Sequence, residues 1–183
     1  MKKILKVMFV FGLAFLFLTG CDNLMNTPTK KVELLLSKYQ KKDEEVLKEL
    51  GDILVTDSVL TTDQKDQYKK LMERQYSNLT YVIKNEAIDG KTAVVEVEIE
   101  VYDYNKAISE SEDYLISHQE EFEDESGVVS TTKYNDYKLN SMNELSDRVK
   151  YTINFTLSKI DEEWIVDDLT DTERMKIHGL YAY

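Results

Sequence analysis

The sequence predicts an α+β fold, with N-terminal helices packed on an antiparallel sheet of about four strands. Three observations predict it. Apolar residues recur at helical spacing from Val32 to Gln75. From Asn78 the period falls to two, most clearly over Ala93–Tyr104, where Val95, Val97, Ile99 and Val101 alternate with Glu96, Glu98, Glu100 and Tyr102. Helical spacing then returns before a second alternating run at Arg148–Lys159.

In chain order, Thr29 can cap a helix over Lys30–Lys41, in which Val32, Leu35, Leu36 and Tyr39 share a face. Asp43 can cap a second helix, with Val46, Leu47 and Leu50 on its stripe before Gly51. Thr61 or Thr62 starts a third over Asp63–Tyr76, carrying Tyr68, Leu71, Met72 and Gln75 on one face. Leu79–Ala87 reads as a strand, and Asp89-Gly90 as the two-residue turn into the next. Tyr104–Phe122 reads as one helix, its stripe running Tyr104, Ile108, Ser111, Leu115, His118 and Phe122. Tyr134–Leu145 reads as another, with Tyr134, Tyr137 or Lys138, Ser141 and Leu145 in register. Val149, Tyr151, Ile153, Phe155 and Leu157 form the buried face of the next strand. A polar turn at Asp161–Glu163 leads to Trp164–Leu169 and closes a second hairpin. Thr170 or Asp171 caps a last short helix ended by Gly179, where a cationic His178 suits the helix dipole.

Composition narrows the function classes. The 183 residues carry a formal net charge of −12, whereas phosphate contacts need clustered Lys and Arg, so nucleic acid is not an expected partner. A single cysteine excludes an internal disulfide framework and a Cys-based zinc site. With 42% hydrophobic residues, twelve Tyr and six Phe, the chain can fill one core. No repeat or linker divides it, so residues 29–183 are expected to form a single domain.

The N-terminus reads as an address. Lys2, Lys3 and Lys6 precede Val7–Leu18, twelve residues without a polar side chain, which is short for a bilayer span. Leu18-Thr19-Gly20-Cys21 then resembles the lipobox of bacterial lipoproteins. The resemblance implies a signal peptide over residues 1–20 and a diacylglyceryl thioether on Cys21, the new N-terminus. Two or more acyl chains hold a protein stably on a bilayer. The expected location is therefore the extracytoplasmic face of the cell membrane, with residues 21–28 as a lipidated tether and membrane lipid as a partner through Cys21.

Few residues carry recognisable chemistry. His118 and His178 are the only histidines, and no HExxH, GxSxG, GxGxxG or Walker-type loop occurs. His118 lies on an apolar stripe and could carry a proton, with Asp103 as a conceivable partner. Glu120–Glu125 packs five acids into six residues. Glu120, Glu123 and Asp124 are thus candidate cation ligands, although the segment lacks the alternating acids and central Gly of calcium loops. Side chains on one strand face stand about 7 Å apart, so Glu96, Glu98 and Glu100 read as a solvated sheet face. No cofactor is expected.

Across the folded region the chain resembles a group of small lipoproteins from Gram-positive bacteria. The resemblance rests on the lipobox, on Pro28-Thr29-Lys30 with Val32, Tyr39 and Gln40, and on Gln75-Tyr76-x-Asn78-Leu79-x-Tyr81. Val101-Tyr102-Asp103-Tyr104, Asp147-Arg148-Val149-x-Tyr151 and Trp164 complete it. It implies an NTF2-like (cystatin-like) domain, in which N-terminal helices lean on a strongly curved antiparallel sheet. Two helices between the hairpins depart from the usual order of that class. The fold hosts enzymes and non-enzymes alike. The expected function is a membrane-anchored domain that binds an envelope protein or a small ligand without catalysis. The alternative is a small pocket enzyme (a hydrolase, isomerase or dehydratase) using His118 and Asp103.

Overall fold

The computed structural model describes residues 25–182, so Cys21, the signal segment 1–20 and the start of the tether lie outside the described residues. Helix α1 spans Pro28–Lys41, α2 Glu44–Thr56 and α3 Thr62–Asn78. Strands β1 (Thr80–Asp89) and β2 (Thr92–Tyr102) follow, then α4 (Tyr104–Ser117), the single turn α5 (Gln119–Phe122) and α6 (Thr131–Glu144). Strands β3 (Arg148–Ile160) and β4 (Glu163–Val166) precede α7 (Asp171–His178). The four strands form an antiparallel meander, β1-β2-β3-β4, that does not close. The fold is thus α+β, with helices against a four-stranded antiparallel sheet, as expected. Among the described residues, no helix is long and apolar enough to cross a membrane.

The sheet is built on the alternation of β2 and β3. Their register runs unbroken from Thr92↔Ser158 to Tyr102↔Arg148, pairing Val95 with Phe155, Val97 with Ile153 and Ile99 with Tyr151. Every one of these six side chains is at most 2% exposed. On the opposite face Glu98 lies between Lys84 and Lys150, each at 3.2 Å, which hold its carboxyl below the usual range. Glu98 is therefore paired with lysines across the strands and Glu100 with Arg148, the ordinary arrangement of a solvated sheet face.

Local chemistry sets the helix ends, in several places one or two residues from the expected position. The cap of α1 is Thr27, not Thr29, and its side chain accepts from Lys30 N. Proline at the first helical position fits this frame, because its missing N–H would be unpaired there anyway. Thr29 instead donates from its backbone N and its hydroxyl to Glu86 on β1. Helix α2 runs through Gly51 to Thr56. Leu50 and Leu54 lie one turn apart on the buried face, and that burial outweighs the roughly 1 kcal/mol cost of an internal glycine. Asp43, Thr61 and Thr170 cap α2, α3 and α7, the last two as full capping boxes.

The first hairpin turns on Gly90-Lys91, closed by Asp89↔Thr92, one residue beyond the expected Asp89-Gly90. The second turns on Asp161 and Glu162, both at positive φ. Strand β4 ends at Val166, so the hairpin arm is shorter than Trp164–Leu169.

Two helical expectations require correction. The segment Tyr104–Phe122 is not one helix: it breaks at His118, which sits at φ −136° between α4 and α5. Ser117 and His118 both direct side-chain atoms at carbonyls of the last turn, a competition that unseats helical backbone. In α6 the buried stripe is Asn135, Leu139 and Met142, not the expected Tyr134, Tyr137 or Lys138, Ser141 and Leu145, which are half-buried at its border.

Candidate functional site

Among the described residues, buried Val, Ile, Tyr, Phe and Leu side chains fill the inner face of the sheet. Open space lies instead along the helical flank, where α2, α3, α4 and α6 meet. Ile53 and Leu54 come from the end of α2, and Val59 and Leu60 from the loop that follows. Tyr68 of α3, Ile108 of α4, Leu139 and Met142 of α6 and Leu180 near the C-terminus supply the rest of the apolar lining. Together they enclose a groove of about 430 Å³. Leu139 and Met142 are 1% exposed at its floor, whereas Ile53 and Val59 are 50% and 60% exposed at its rim.

The groove exists because the seam between α3 and α6 is stitched by polar side chains rather than packed shut. Gln64 donates to Thr132 O at 3.0 Å and to Asp136 Oδ1 at 2.7 Å. Arg74 donates to the carbonyls of Asn143 and Leu145. These bonds fix the spacing of the two helices while leaving the apolar faces beyond them incompletely covered.

Three polar groups border the apolar lining. Asp57 accepts from the backbone N–H groups of Leu60 and Val59, which hold its carboxyl below the usual range and close the rim loop. Lys138 reaches the groove from α6; its Nζ lies 5.4 Å from the centre of the Tyr134 ring, and no ion pair to it occurs among the described residues. Asn135 is 3% exposed, and its Nδ2 has no hydrogen-bond partner. An unpaired buried amide costs about 1–3 kcal/mol, which makes it an unusual residue to find in a wall otherwise apolar.

Other depressions carry less. One of about 650 Å³ beside α2 and α7 is open, and most of the charges lining it are paired, among them Lys48 with Asp52 and Arg174 with Glu49. Another of about 230 Å³ between α1, α2 and the segment after β4 shares the same Arg174–Glu49 pair.

The residues singled out from the sequence fall elsewhere. Asp103 caps the N-terminus of α4 by accepting from Lys106 N, while His118 closes the C-terminus of that same fourteen-residue helix. A helix of that length separates its ends by about 20 Å, so the structure does not bring the two side chains together. His118 stacks on Tyr114 at 4.0 Å between centroids, and Tyr114 stacks on Tyr137 at 4.8 Å. His118 Nδ1 lies 2.9 Å from Ser117 Oγ and 3.2 Å from Tyr114 O. Of the acidic run, Asp124 accepts from Ser126 N, Ser126 Oγ and Val128 N, organising the turn at Gly127. Glu123 pairs with Val129 as an isolated bridge, and Glu120 is exposed. No three His, Cys, Asp or Glu side chains among the described residues converge as metal ligands would.

His178 also departs from expectation. Its Nε2 shares a 3.0 Å hydrogen bond with Tyr76 Oη, and the ring lies 5.7 Å from that of Tyr76. The residue keeps partial exposure, but Tyr39, Leu50 and Tyr76 crowd the ring. Burial, helped by the Arg174 charge, lowers its pKa to about 4. At neutral pH it is a neutral core residue, because the desolvation cost exceeds what the helix dipole returns to a cation.

The site residues the sequence reading missed are Asn135 and Lys138. The signal was present as a 4-3 spacing, Asn135-Leu139-Met142, but the aromatic Tyr134 and Tyr137 drew the stripe one residue toward the N-terminus.

No family model matches the chain, and no curated protein does so either. Among solved structures it is similar to ycdA of Bacillus subtilis, described there as a candidate lipoprotein. The two are 15% identical with a TM-score of 0.41, over 81% of this chain and 46% of that one. This chain therefore spans less than half the length of that relative.

Proposed function

We propose that this chain is a lipoprotein held on the extracytoplasmic face of the cell membrane through Cys21, and that its domain is a non-catalytic binding module. In this reading the ligand or envelope partner docks in the interhelical groove. The observation that carries the binding role is the groove itself: about 430 Å³, apolar in lining, with very few polar groups at its border. That volume and composition are typical of small-molecule sites, which run from about 300 to 1,000 Å³. The anchor is supported by the sequence alone, in the charged start, the short apolar run and Leu18-Thr19-Gly20-Cys21. The NTF2-like relationship belongs to the same reading, resting on the motifs that carry the resemblance.

The pocket-enzyme alternative draws no support from the site. Proton transfer needs its partners within about 3 Å or one bridging water, and Asp103 and His118 occupy opposite ends of α4.

The test uses the full chain in a bacterium that makes it. Mass spectrometry of its N-terminal peptide, recovered from membranes, should show acylated Cys21, and Cys21→Ala should release the protein from the membrane fraction. Solvent extraction of the purified protein should yield a bound small molecule that is depleted in Val59→Trp, where an exposed rim residue is enlarged over the groove. An unmodified cysteine with unchanged membrane retention overturns the anchor. Turnover of a substrate that depends on His118 overturns the non-catalytic role.

A further inference from the structure

The groove has a polarity that narrows its ligand. One end is walled by Ile53, Leu54, Val59 and Leu60, with Asp57 as its one polar side chain. On the α6 side stand Lys138 and Asn135, three residues apart and therefore neighbours on one helix face. The ammonium is the only cation in the lining, and no carboxylate pairs with it among the described residues. Asp57, the only acid in the lining, accepts two backbone N–H groups on Oδ1, and the Lys138 ammonium acts on it as a nearby charge rather than as an ion-pair partner. The terminal torsion of an asparagine is broad and roughly two-fold, so the Asn135 amide can turn its unpartnered N–H toward the space it lines. Both groups then donate, and neither has a hydrogen-bond acceptor among the described residues.

Resting on the binding role of the groove, we propose that its ligand is an amphipathic anion, an unbranched alkyl chain ending in a carboxylate. The chain lies along Leu60, Tyr68, Ile108 and Met142, and the carboxylate accepts from Lys138 Nζ and Asn135 Nδ2. Physical bookkeeping favours this over a neutral oil. A hydrocarbon would bury apolar surface but leave the amide unpaired, whereas a carboxylate satisfies it through a charge-assisted bond, roughly twice as strong as a neutral one. It also fits the charge pattern of a chain at net −12, in which a lysine with no ion pair among the described residues gives an anion a local attraction that the rest of the surface opposes.

The experiment compares three photoreactive probes with the same alkyl tail, on the full lipidated chain in phosphatidylcholine nanodiscs: dodecanoate, dodecanol and dodecyltrimethylammonium, each carrying a diazirine. Cross-linked peptides are mapped by mass spectrometry. The expected result is labelling of the Tyr68 and Leu139 peptides by dodecanoate, about tenfold above either other probe at equal concentration. Lys138→Met and Asn135→Leu should each bring dodecanoate down to the level of dodecanol while leaving dodecanol unchanged, with melting curves confirming that both variants fold. Equal labelling by all three probes, abolished by Val59→Trp, overturns the carboxylate inference and leaves the binding groove standing. Labelling by none, or labelling indifferent to Val59→Trp, overturns the groove and the inference with it. Preference for the ammonium probe overturns the assignment of Lys138 and points to Asp57 as the recognising group.

Discussion

The two sides of α3 teach different lessons about how this chain is held together. Toward the sheet, α3 presents Leu71, Met72, Gln75 and Tyr76, all at most 2% exposed, against an interior of Val, Ile, Phe and Tyr. Its one polar member is fully used: Gln75 donates to Tyr102 O and accepts from Tyr102 N, so the amide completes the end of β2. Toward α6, the same helix uses Gln64, Gln67 and Arg74, with apolar burial confined to Leu139 and Met142. One interface excludes everything and pairs every polar atom. The other is spaced by hydrogen bonds, keeps a groove open, and contains an unpaired amide. Tight packing fixes a single structure; the looser seam is where a ligand can be accommodated without dismantling the fold.

The comparison breaks first where packing is densest. Phe155→Ala removes a ring that is 1% exposed opposite Val95, and should cost about 3–5 kcal/mol, as aromatic truncations in full cores do. Denaturant unfolding monitored by circular dichroism measures it. A cost below about 1 kcal/mol would mean that the sheet side is as loosely packed as the groove side.

His178 gives the sheet-side core a pH dependence. Its native pKa is lowered to about 4 from an ordinary 6.5. Between those values the unfolded chain binds a proton that the native ring refuses. Stability is therefore unaffected by this group above pH 6.5 and is lost as pH falls from 6.5 toward 4, by at most about 3 kcal/mol. His178→Gln keeps a partner for Tyr76 but not the titration. The difference between the two melting profiles should fall only inside that window, and parallel profiles would show that His178 is solvated and titrates normally.

A smaller effect tests the closest approach in the sheet-side packing. Gly179 ends α7 at φ +71°, and a Cβ there would sit 2.1 Å from Tyr102 O and 2.2 Å from Gln75 Nε2. Gly179→Ala should therefore cost about 1–3 kcal/mol, by left-handed strain and by prying Gln75 from Tyr102. Gly51→Ala, in the open interior of α2 with nothing within 4 Å, should instead stabilise by up to about 1 kcal/mol. Thermal melts of the pair decide it: equal effects of one sign would mean that the contact at Gly179 yields freely.

The same contrast explains what was legible in the sequence. Strands β2 and β3 declare themselves because a period of two with one apolar face admits only one register, and a slip would turn Val95, Val97, Ile99 and Val101 into solvent. Caps at Asp43 and Thr170 were equally readable, since a short side chain at a fixed offset from the first turn is a local signal. Thr27 was hidden by the more obvious Thr29, whose real partner, Glu86, lies 57 residues away. The break at His118 depends on Ser117 and His118 competing for carbonyls, which an apolar stripe running through His118 conceals. The groove was the least legible feature. It is a space left between four helices, defined by what Gln64 and Arg74 hold apart, and no periodicity in one segment reports an unfilled volume among several.

The smallest predicted effect separates the two sides of α3 most cleanly, because it has the opposite sign. Asn135→Leu replaces a side chain that is 3% exposed and leaves Nδ2 unpaired with an apolar one of similar size, on a stripe that already holds Leu139 and Met142. With no bond to lose and a desolvation cost relieved, the variant should be more stable than the parent by about 1 kcal/mol, within the range for one unpaired buried group. Gln75→Leu, the matching change on the sheet side, orphans both the N–H and the carbonyl of Tyr102 and should destabilise by about 2 kcal/mol or more. Urea midpoints measured side by side give the result. If both substitutions destabilise, Asn135 has a partner within the folded chain, and the groove is a structural seam rather than a site kept open at the expense of stability.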